Sequence, residues 1–286
     1  ARSGGALWLP TTPLLTDKGT PDTADRAATY LDAVVDGTAP APRSTAFLKH
    51  VNATVDMLGR TTPMRLFWAR EYSDYHPERP GGRATGRTCE CRPLNARVLG
   101  EYRDRLRGGV MEVKVPMPTT GADYKWMNLM TRVPRKGLPL IAKRLAQGVG
   151  GKLLGREYIA GGQALAAGLF AGVLRAGVPI WTDTALVRLT GDGQRVTGAV
   201  LSHGGREVTV SATRGVVLAA GGFDHDMAMR HKYQSDSLGA HESLGADSNT
   251  GEAIRAATRF AAVAYAGELA TRWGITGWRT GEAGAA

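Results

Sequence analysis

Residues 214–223 read Arg-Gly-Val-Val-Leu-Ala-Ala-Gly-Gly-Phe, an apolar run that passes through Ala219 and Ala220 into the paired glycines Gly221 and Gly222. Three consecutive aliphatic side chains suit a strand buried on both faces. The nearly side-chain-free residues behind it let the main chain turn sharply and approach a flat or phosphorylated ligand closely. A strand that simply ends in a glycine turn would use the same letters, so this run alone leaves both readings open.

The chain around it is long enough to bury a real core: 286 residues, 43% hydrophobic, which excludes a disordered tail or a disulfide-stapled miniprotein. Cys89 and Cys91 cannot make a disulfide framework, and a single C-x-C without a second Cys/His pair is poor zinc spacing, so no metal site is expected. The net charge of +10 raises the question of a polyanionic partner. The positive residues are dispersed, with local concentrations at Arg83 to Arg107 and Arg132 to Arg144 but no long run, which argues against nucleic acid. The longest uncharged stretch, Tyr158 to Leu174, is short for a bilayer span and broken by glycines, so no transmembrane segment is expected.

Local signals give a coarse map. Thr20-Pro21-Asp22 predicts a helix start for Ala24 to Asp36 with Gly37 as its stop, and Ser44 is placed to cap a second helix ending near Gly59. From Thr61 to about Gly121 the text is rich in Pro, Gly and Arg around short apolar runs such as Leu66-Phe67-Trp68 and Val113 to Met117, as in a loop-rich segment with a few strands. Leu138 to Gln147 reads as a helix with one basic, solvated face, and Gly162 to Ala176 as a close-packed Ala-rich helix. The short runs Val178 to Thr182, Ala185 to Leu189, Val196 to Ser202, Glu207 to Ser211 and Val216 to Leu218 read as strands separated by glycine turns. Helix, strand, hairpin and strand in that order give an α/β or α+β class.

Two further segments have ligand-binding grammar. Ser3-Gly4-Gly5 offers main-chain N–H groups and a hydroxyl to a phosphate, and Ser248-Asn249-Thr250-Gly251 precedes a helical run from Glu252 to Ala257 whose N-terminus suits an anion; an ordinary turn and an ordinary cap are the alternatives.

Taken in order, Ser3-Gly4-Gly5 with Trp8 and Pro10, Tyr72-Ser73-Asp74-Tyr75-His76-Pro77-Glu78 with Gly86-Arg87, Gly161-Gly162, Val216 to Asp224, Met229-Arg230 with Lys232-Tyr233, and Asn249-Thr250-Gly251 resemble the FAD-dependent 3-ketosteroid dehydrogenases, a branch of the fumarate reductase and succinate dehydrogenase flavoproteins. The resemblance runs from residue 1 to about 258. It implies FAD as cofactor and a site built mostly of backbone: Ser3, Gly4 and Gly5 along the pyrophosphate and flavin, Ala220, Gly221 and Gly222 as a second turn on the cofactor, Leu186 beside the adenine, and Asn249, Thr250 and Gly251 near the flavin. It further implies that Tyr75 sits at the substrate and supports a second tyrosine that acts as base. The reaction implied is 1,2-desaturation of a 3-ketosteroid: a tyrosinate takes a proton beside the carbonyl and hydride goes to flavin, with an unidentified electron acceptor downstream. A phenol needs a polar or cationic neighbour to work near neutral pH, and His76 and Arg87 are close in sequence.

The resemblance also implies what is different. The family's first element, a strand and helix around G-x-G-x-x-G, has no counterpart; the similarity fades after about Arg259, and Phe260 to Ala286 has no clear equivalent. The chain therefore reads as an incomplete FAD-binding Rossmann-like domain: residues 1–60 the remainder of that domain, 61–150 a loop-rich portion on the substrate side, 151–260 the helix, hairpins and glycine turn, and 261–286 a divergent tail. Little or no dehydrogenation by the chain alone is the expectation, and a cytoplasmic location fits the lack of an export signal. Two alternatives stand: a fumarate reductase-like enzyme using Arg87, Arg230 and His225 as clamps on a carboxylate, and a folded remnant or anion-binding module without activity of its own.

Overall fold

The computed structural model of the chain describes residues 3–16, 21–109, 115–192, 195–239, 243 and 245–259. The tail from 261 and the first two residues of Val113 to Met117 lie outside them. The chain divides into two compact units, Ala1–Val178 and Pro179–Ala286.

The first unit runs β1 (Leu7–Trp8), α1 (Ala24–Val35), α2 (Ala41–Thr61), β2 (Leu66–Trp68), β3 (Thr88–Cys91), β4 (Leu94–Asn95), a 3₁₀ segment (Ala96–Arg105), α3 (Gly121–Asn128), α4 (Pro134–Leu153), β5 (Tyr158–Ile159) and α5 (Gly161–Arg175). β3 is the centre of a three-stranded antiparallel sheet, with Leu7 and Trp68 both opposite Cys89. All four of its residues are buried. One apolar cluster joins Met64, Cys91, Leu99 and Ile159 to Ala164 and Ala167 of α5, and a second joins Leu9, Val51 and Cys89. The alanines explain α5: they let the helix lie close against the strand and the 3₁₀ segment, where larger side chains would hold it away.

α1 begins at Ala24, as expected, with Thr23 as its cap: Thr23 Oγ1 accepts from the Arg26 amide at 3.2 Å, while the Asp22 carboxylate pairs with Arg87. Other local expectations shift. α2 starts at Ala41 behind Pro40, ahead of Ser44, since Pro42 in the first turn needs no amide partner. α4 is twice the expected length, and α3, opened by a Thr120–Asp123 capping box, was not foreseen.

Glu90 lies on β3 between the two cysteines, 1% exposed, and its carboxylate accepts from the Ala122 amide at the start of α3 at 3.3 Å. Burial pushes its pKa above the ordinary 4.5, outweighing the opposing pull of the Ala122 and Gly121 amides. The folded carboxyl thus holds a proton more readily than the unfolded one. Its contribution to stability is complete below the ordinary value and is lost as pH rises through the raised one. Thermal melts should show the midpoint falling by a few degrees from mildly acidic to mildly alkaline buffer, and Glu90→Gln should flatten that fall. Burial likewise pushes the Cys89 thiol up to about 12 and raises Cys91, which makes both thiols inert packing residues.

The second unit is an antiparallel meander, β6 (Thr184–Gly191), β7 (Val196–His203) and β8 (Arg206–Ser211), followed by α6 (Met227–Tyr233) and α7 (Glu252–Arg259), with Phe223 and Met229 as its small core. Two expected strands are not there. Val178 to Thr182 carries Pro179, which has no amide to give a ladder. Val216 to Leu218 is in no ladder, and Val217 is 90% exposed: β6, β7 and β8 pair among themselves, and a strand that would be buried on both faces has no described neighbour.

Candidate active site

Ser3, Gly4 and Gly5 lie against the start of α5. Ser3 Oγ accepts from the Gly5 amide at 3.1 Å, folding the segment into a tight turn, and Gly5 adopts φ +81°. A methyl on Gly5 would overlap the backbone of Gly161 and Gly162, and one on Gly162 would overlap the Ser3 carbonyl. Main chain therefore touches main chain with no room for a side chain. Ala160 gives α5 no side-chain cap, so the first-turn amides beside this turn have no acceptor from it. Glycine backbone against a helix N-terminus is an arrangement that suits a pyrophosphate.

In the second unit the other expected cofactor segments meet each other. The Gly251 amide donates to the Gly222 carbonyl at 3.1 Å, and the His225 amide donates to the Asn249 carbonyl at 3.0 Å. Gly221 has φ +85°, and a methyl there would overlap the Asn249 side-chain amide. Asn249 Nδ2 donates to Asp224 Oδ1 at 3.1 Å and Ser243 Oγ donates to Oδ2 at 3.0 Å, so the buried Asp224 carboxylate knots the two loops together. Asp224 was not anticipated. Its signal was its place directly behind the glycine pair and Phe223, ahead of an Asn-Thr-Gly that needs a partner. Leu186 sits at a bulge of β6: it pairs with Leu201, while Arg188 pairs with Val200, leaving Val187 out of the ladder.

Tyr75 is 73% exposed, directly after the buried Asp74 and at the start of the exposed stretch that runs to Pro80. The Asp74 carboxylate, fully buried, accepts from Trp8 Nε1 at 2.9 Å, from the Arg83 amide at 3.0 Å and from Arg87 Nη1 at 2.5 Å. Arg87 is 0% exposed; its Nε donates to Asp22 at 2.9 and 3.0 Å and its Nη2 to the Gly81 carbonyl at 2.9 Å. The Trp8 and Tyr30 rings stand 5.4 and 5.5 Å from the guanidinium, and the Tyr30 hydroxyl accepts from the His76 amide at 3.1 Å. Residues on both sides of Tyr75 are thus pinned, and its phenol projects outward. Neither expected cation helps it directly: Arg87 is committed to Asp22 and Asp74, and the His76 ring is exposed and paired with Glu78 at 3.3 Å. Nearby, burial pushes the Tyr72 phenol above its ordinary value, with the Tyr75 phenol and Glu90 pushing the same way, so Tyr72 stays an O–H donor at neutral pH.

Of the carboxylate clamps of the alternative enzyme reading, the two arginines are committed to groups of the chain, while His225 Nε2 makes no hydrogen bond. Arg87 is buried as above; Arg230 is 2% exposed and donates to the Gly239 carbonyl at 3.0 Å; His225 lies between Asp224 and Asp247 at 4.0 and 3.9 Å.

The profile of the FAD binding domain family matches residues 1–283. The chain is 36% identical over 267 residues to the 3-oxosteroid 1-dehydrogenase of Mycobacterium tuberculosis (strain ATCC 25618 / H37Rv), covering 92% of this chain and 47% of that protein. It is 35% identical over 285 residues to the 3-oxosteroid 1-dehydrogenase of Mycolicibacterium smegmatis, covering 96% of this chain and 49% of the relative. The crystal structure of 3-ketosteroid delta1-dehydrogenase from Sterolibacterium denitrificans in complex with 1,4-androstadiene-3,17-dione superposes with a TM-score of 0.81 at 30% identity, over 91% of this chain and 47% of that one. The chain spans about half the length of these relatives. With both glycine cradles inside the matched residues, the chain belongs to the FAD binding domain family.

Proposed function

We propose that the chain supplies the cofactor-cradling and Tyr75-bearing part of an FAD-dependent oxidoreductase that introduces a 1,2 double bond into a 3-ketosteroid. The observation that carries this reading is the presentation of Tyr75: an exposed phenol held between two buried anchors, in a chain resembling steroid dehydrogenases over nearly all its length. Ser3 to Gly5 with Gly161 and Gly162 would hold the pyrophosphate; Ala220 to Gly222 with Asn249 to Gly251 would hold the cofactor's other parts through backbone amides; the main chain at Leu186 and Val187, freed by the bulge, would read the adenine. FAD, when bound, supplies the hydride acceptor. Tyr75 Oη would orient, and exchange a proton with, the base that takes a proton from the carbon beside the substrate carbonyl. The chain alone is expected to turn over little or no steroid, and the electron acceptor that reoxidises the flavin is a small molecule or protein outside these residues.

A flavin fluorescence titration of the full chain tests the reading. Saturable quenching by FAD, with a further spectral shift on adding a 3-ketosteroid and none on adding fumarate, is the expected result. No binding of FAD would overturn the reading, and a response to fumarate alone would move it to the carboxylate-reducing branch.

A further inference from the structure

The segment between β2 and β3 continues their ladder outward before it opens. The Ala69 amide donates to the Thr88 carbonyl at 2.9 Å, the Glu71 amide to the Thr85 carbonyl at 3.1 Å and the Asp74 amide to the Arg83 carbonyl at 3.1 Å, so residues 69–74 run alongside 83–88. Tyr72 lies between the second and third of these rungs. Its amide donates to the Ala69 carbonyl at 3.0 Å, and its carbonyl packs so closely on Gly86, at φ +68°, that a methyl there would overlap it. Only glycine fits opposite Tyr72, and the Tyr72 backbone is held on both sides. Tyr75 follows directly on the last rung. Both tyrosines therefore leave a backbone fixed by the same ribbon, and their phenols come close enough to interact.

The two phenols have different surroundings. Tyr72 is half-buried and Tyr75 is exposed. Two phenols that share one hydrogen bond have unequal roles: the donor keeps its proton, while the acceptor is the better place for negative charge and has its own O–H left to give elsewhere. Burial and the buried Glu90 carboxyl both disfavour charge on Tyr72, and a phenolate at Tyr75 disfavours it further. Water reaches Tyr75 and solvates charge there. The donor of the pair is therefore Tyr72, and the acceptor is Tyr75. Arg87 serves Asp22 and Asp74, and the His76 ring pairs with Glu78, so neither takes this part.

We propose that Tyr72 is a positioning residue: its hydroxyl donates to Tyr75 Oη, which turns the Tyr75 O–H outward and puts the negative charge on Tyr75 whenever the pair loses a proton. This rests on the reading above, in which Tyr75 Oη exchanges a proton with the base, and it names the group that sets the direction of that exchange. Tyr72 acts through Tyr75.

Carbon NMR of the full chain, with tyrosine isotopically labelled at Cζ, tests it, and Tyr72→Phe and Tyr75→Phe assign the two resonances. Tyr75 should ionise first and Tyr72 as the second step of the pair. In Tyr75→Phe the Tyr72 resonance should titrate about half a pH unit lower, the size expected for the loss of one hydrogen bond. In Tyr72→Phe the Tyr75 phenolate should form at higher pH than in the parent chain. Tyr72 is neutral at that stage, so the loss of its donated hydrogen bond is what moves Tyr75. A packing role alone would leave the Tyr75 curve in place, because phenylalanine keeps the ring. Tyr75→Phe changes an exposed position and reads the pair whether or not Tyr72→Phe folds. A Tyr72 resonance that ionises before Tyr75, or that is indifferent to Tyr75→Phe, would overturn the proposal. Flavin titrations keep the two questions apart. Absence of FAD binding by the parent chain would strike the redox reading and with it the use of the pair, whereas normal FAD binding with an unmoved Tyr75 curve in Tyr72→Phe would strike this proposal alone.

Discussion

Arg87→Met is expected to lower the thermal midpoint by about 10 °C, because it leaves the Asp22 and Asp74 carboxylates buried without their main counter-charge, a loss of about 3–5 kcal/mol. Methionine keeps the length of the side chain and much of its contact with Trp8 and Tyr30, so packing changes little. What disappears is the set of donors to Asp22, Asp74 and Gly81. Combining Arg87→Met with Asp74→Asn should recover part of the loss, since the remaining buried carboxylate is then fewer by one. Arg87→Lys should fall in between, because a point charge cannot serve three acceptors in the plane of a guanidinium. Calorimetry on the three variants decides the matter; a change below about 3 °C for Arg87→Met would mean that the ion cluster is solvated or dispensable.

Gly162→Ala should weaken FAD binding by at least about tenfold, equivalent to about 1.4 kcal/mol or more, while leaving the helix content unchanged. The added methyl would overlap the Ser3 carbonyl. α5 is anchored along its length by Ala164 and Ala167 in the core, whereas Ser3 to Gly5 precede the first strand. The yielding partner is therefore the Ser3 to Gly5 turn, and it is the half of the cradle that would meet the pyrophosphate. Gly59→Ala is the matched control, for a methyl there meets nothing within 4 Å. Unchanged flavin titrations for Gly162→Ala, alongside an unchanged control, would remove this cradle from the cofactor site.

Much of this was legible in the letters, and the limit has a physical origin. The Ala-rich α5 and the β6 to β8 meander follow from short-range signals: small residues, alternation and glycine turns. The start of α1 at Ala24 was legible, whereas α2 begins three residues ahead of Ser44, at Ala41 behind Pro40. Asp22, just ahead of the cap Thr23, is held by Arg87, 65 positions on, a pairing that no local signal contains. The basic residues around Leu138 to Gln147 suggested a solvated charged face; the buried Gly137, Gly148 and Gly151 decide which side of α4 turns inward, and that depends on Pro116, Trp126 and Tyr158, which periodicity does not contain. The apolar Val216 to Leu218 has every local mark of a strand, yet a ladder needs a neighbour, and no property of three residues can provide one.

The ion cluster beneath Tyr75 also bears on how that residue moves. Its members come from the approach to α1, the Tyr75 loop and the start of β3, together with Trp8 on β1, so the loop gains its anchors only when those pieces have assembled. Detaching Asp74 means exposing buried charge, which costs as much as opening the surrounding structure. The loop consequently belongs to the unit's slow, cooperative opening rather than to the fast fraying of a surface hairpin. A phenol carried on it is preorganised: substrate encountering it would pay little to order the chain, and hydrogen exchange at the Asp74 and Arg83 amides would report global unfolding.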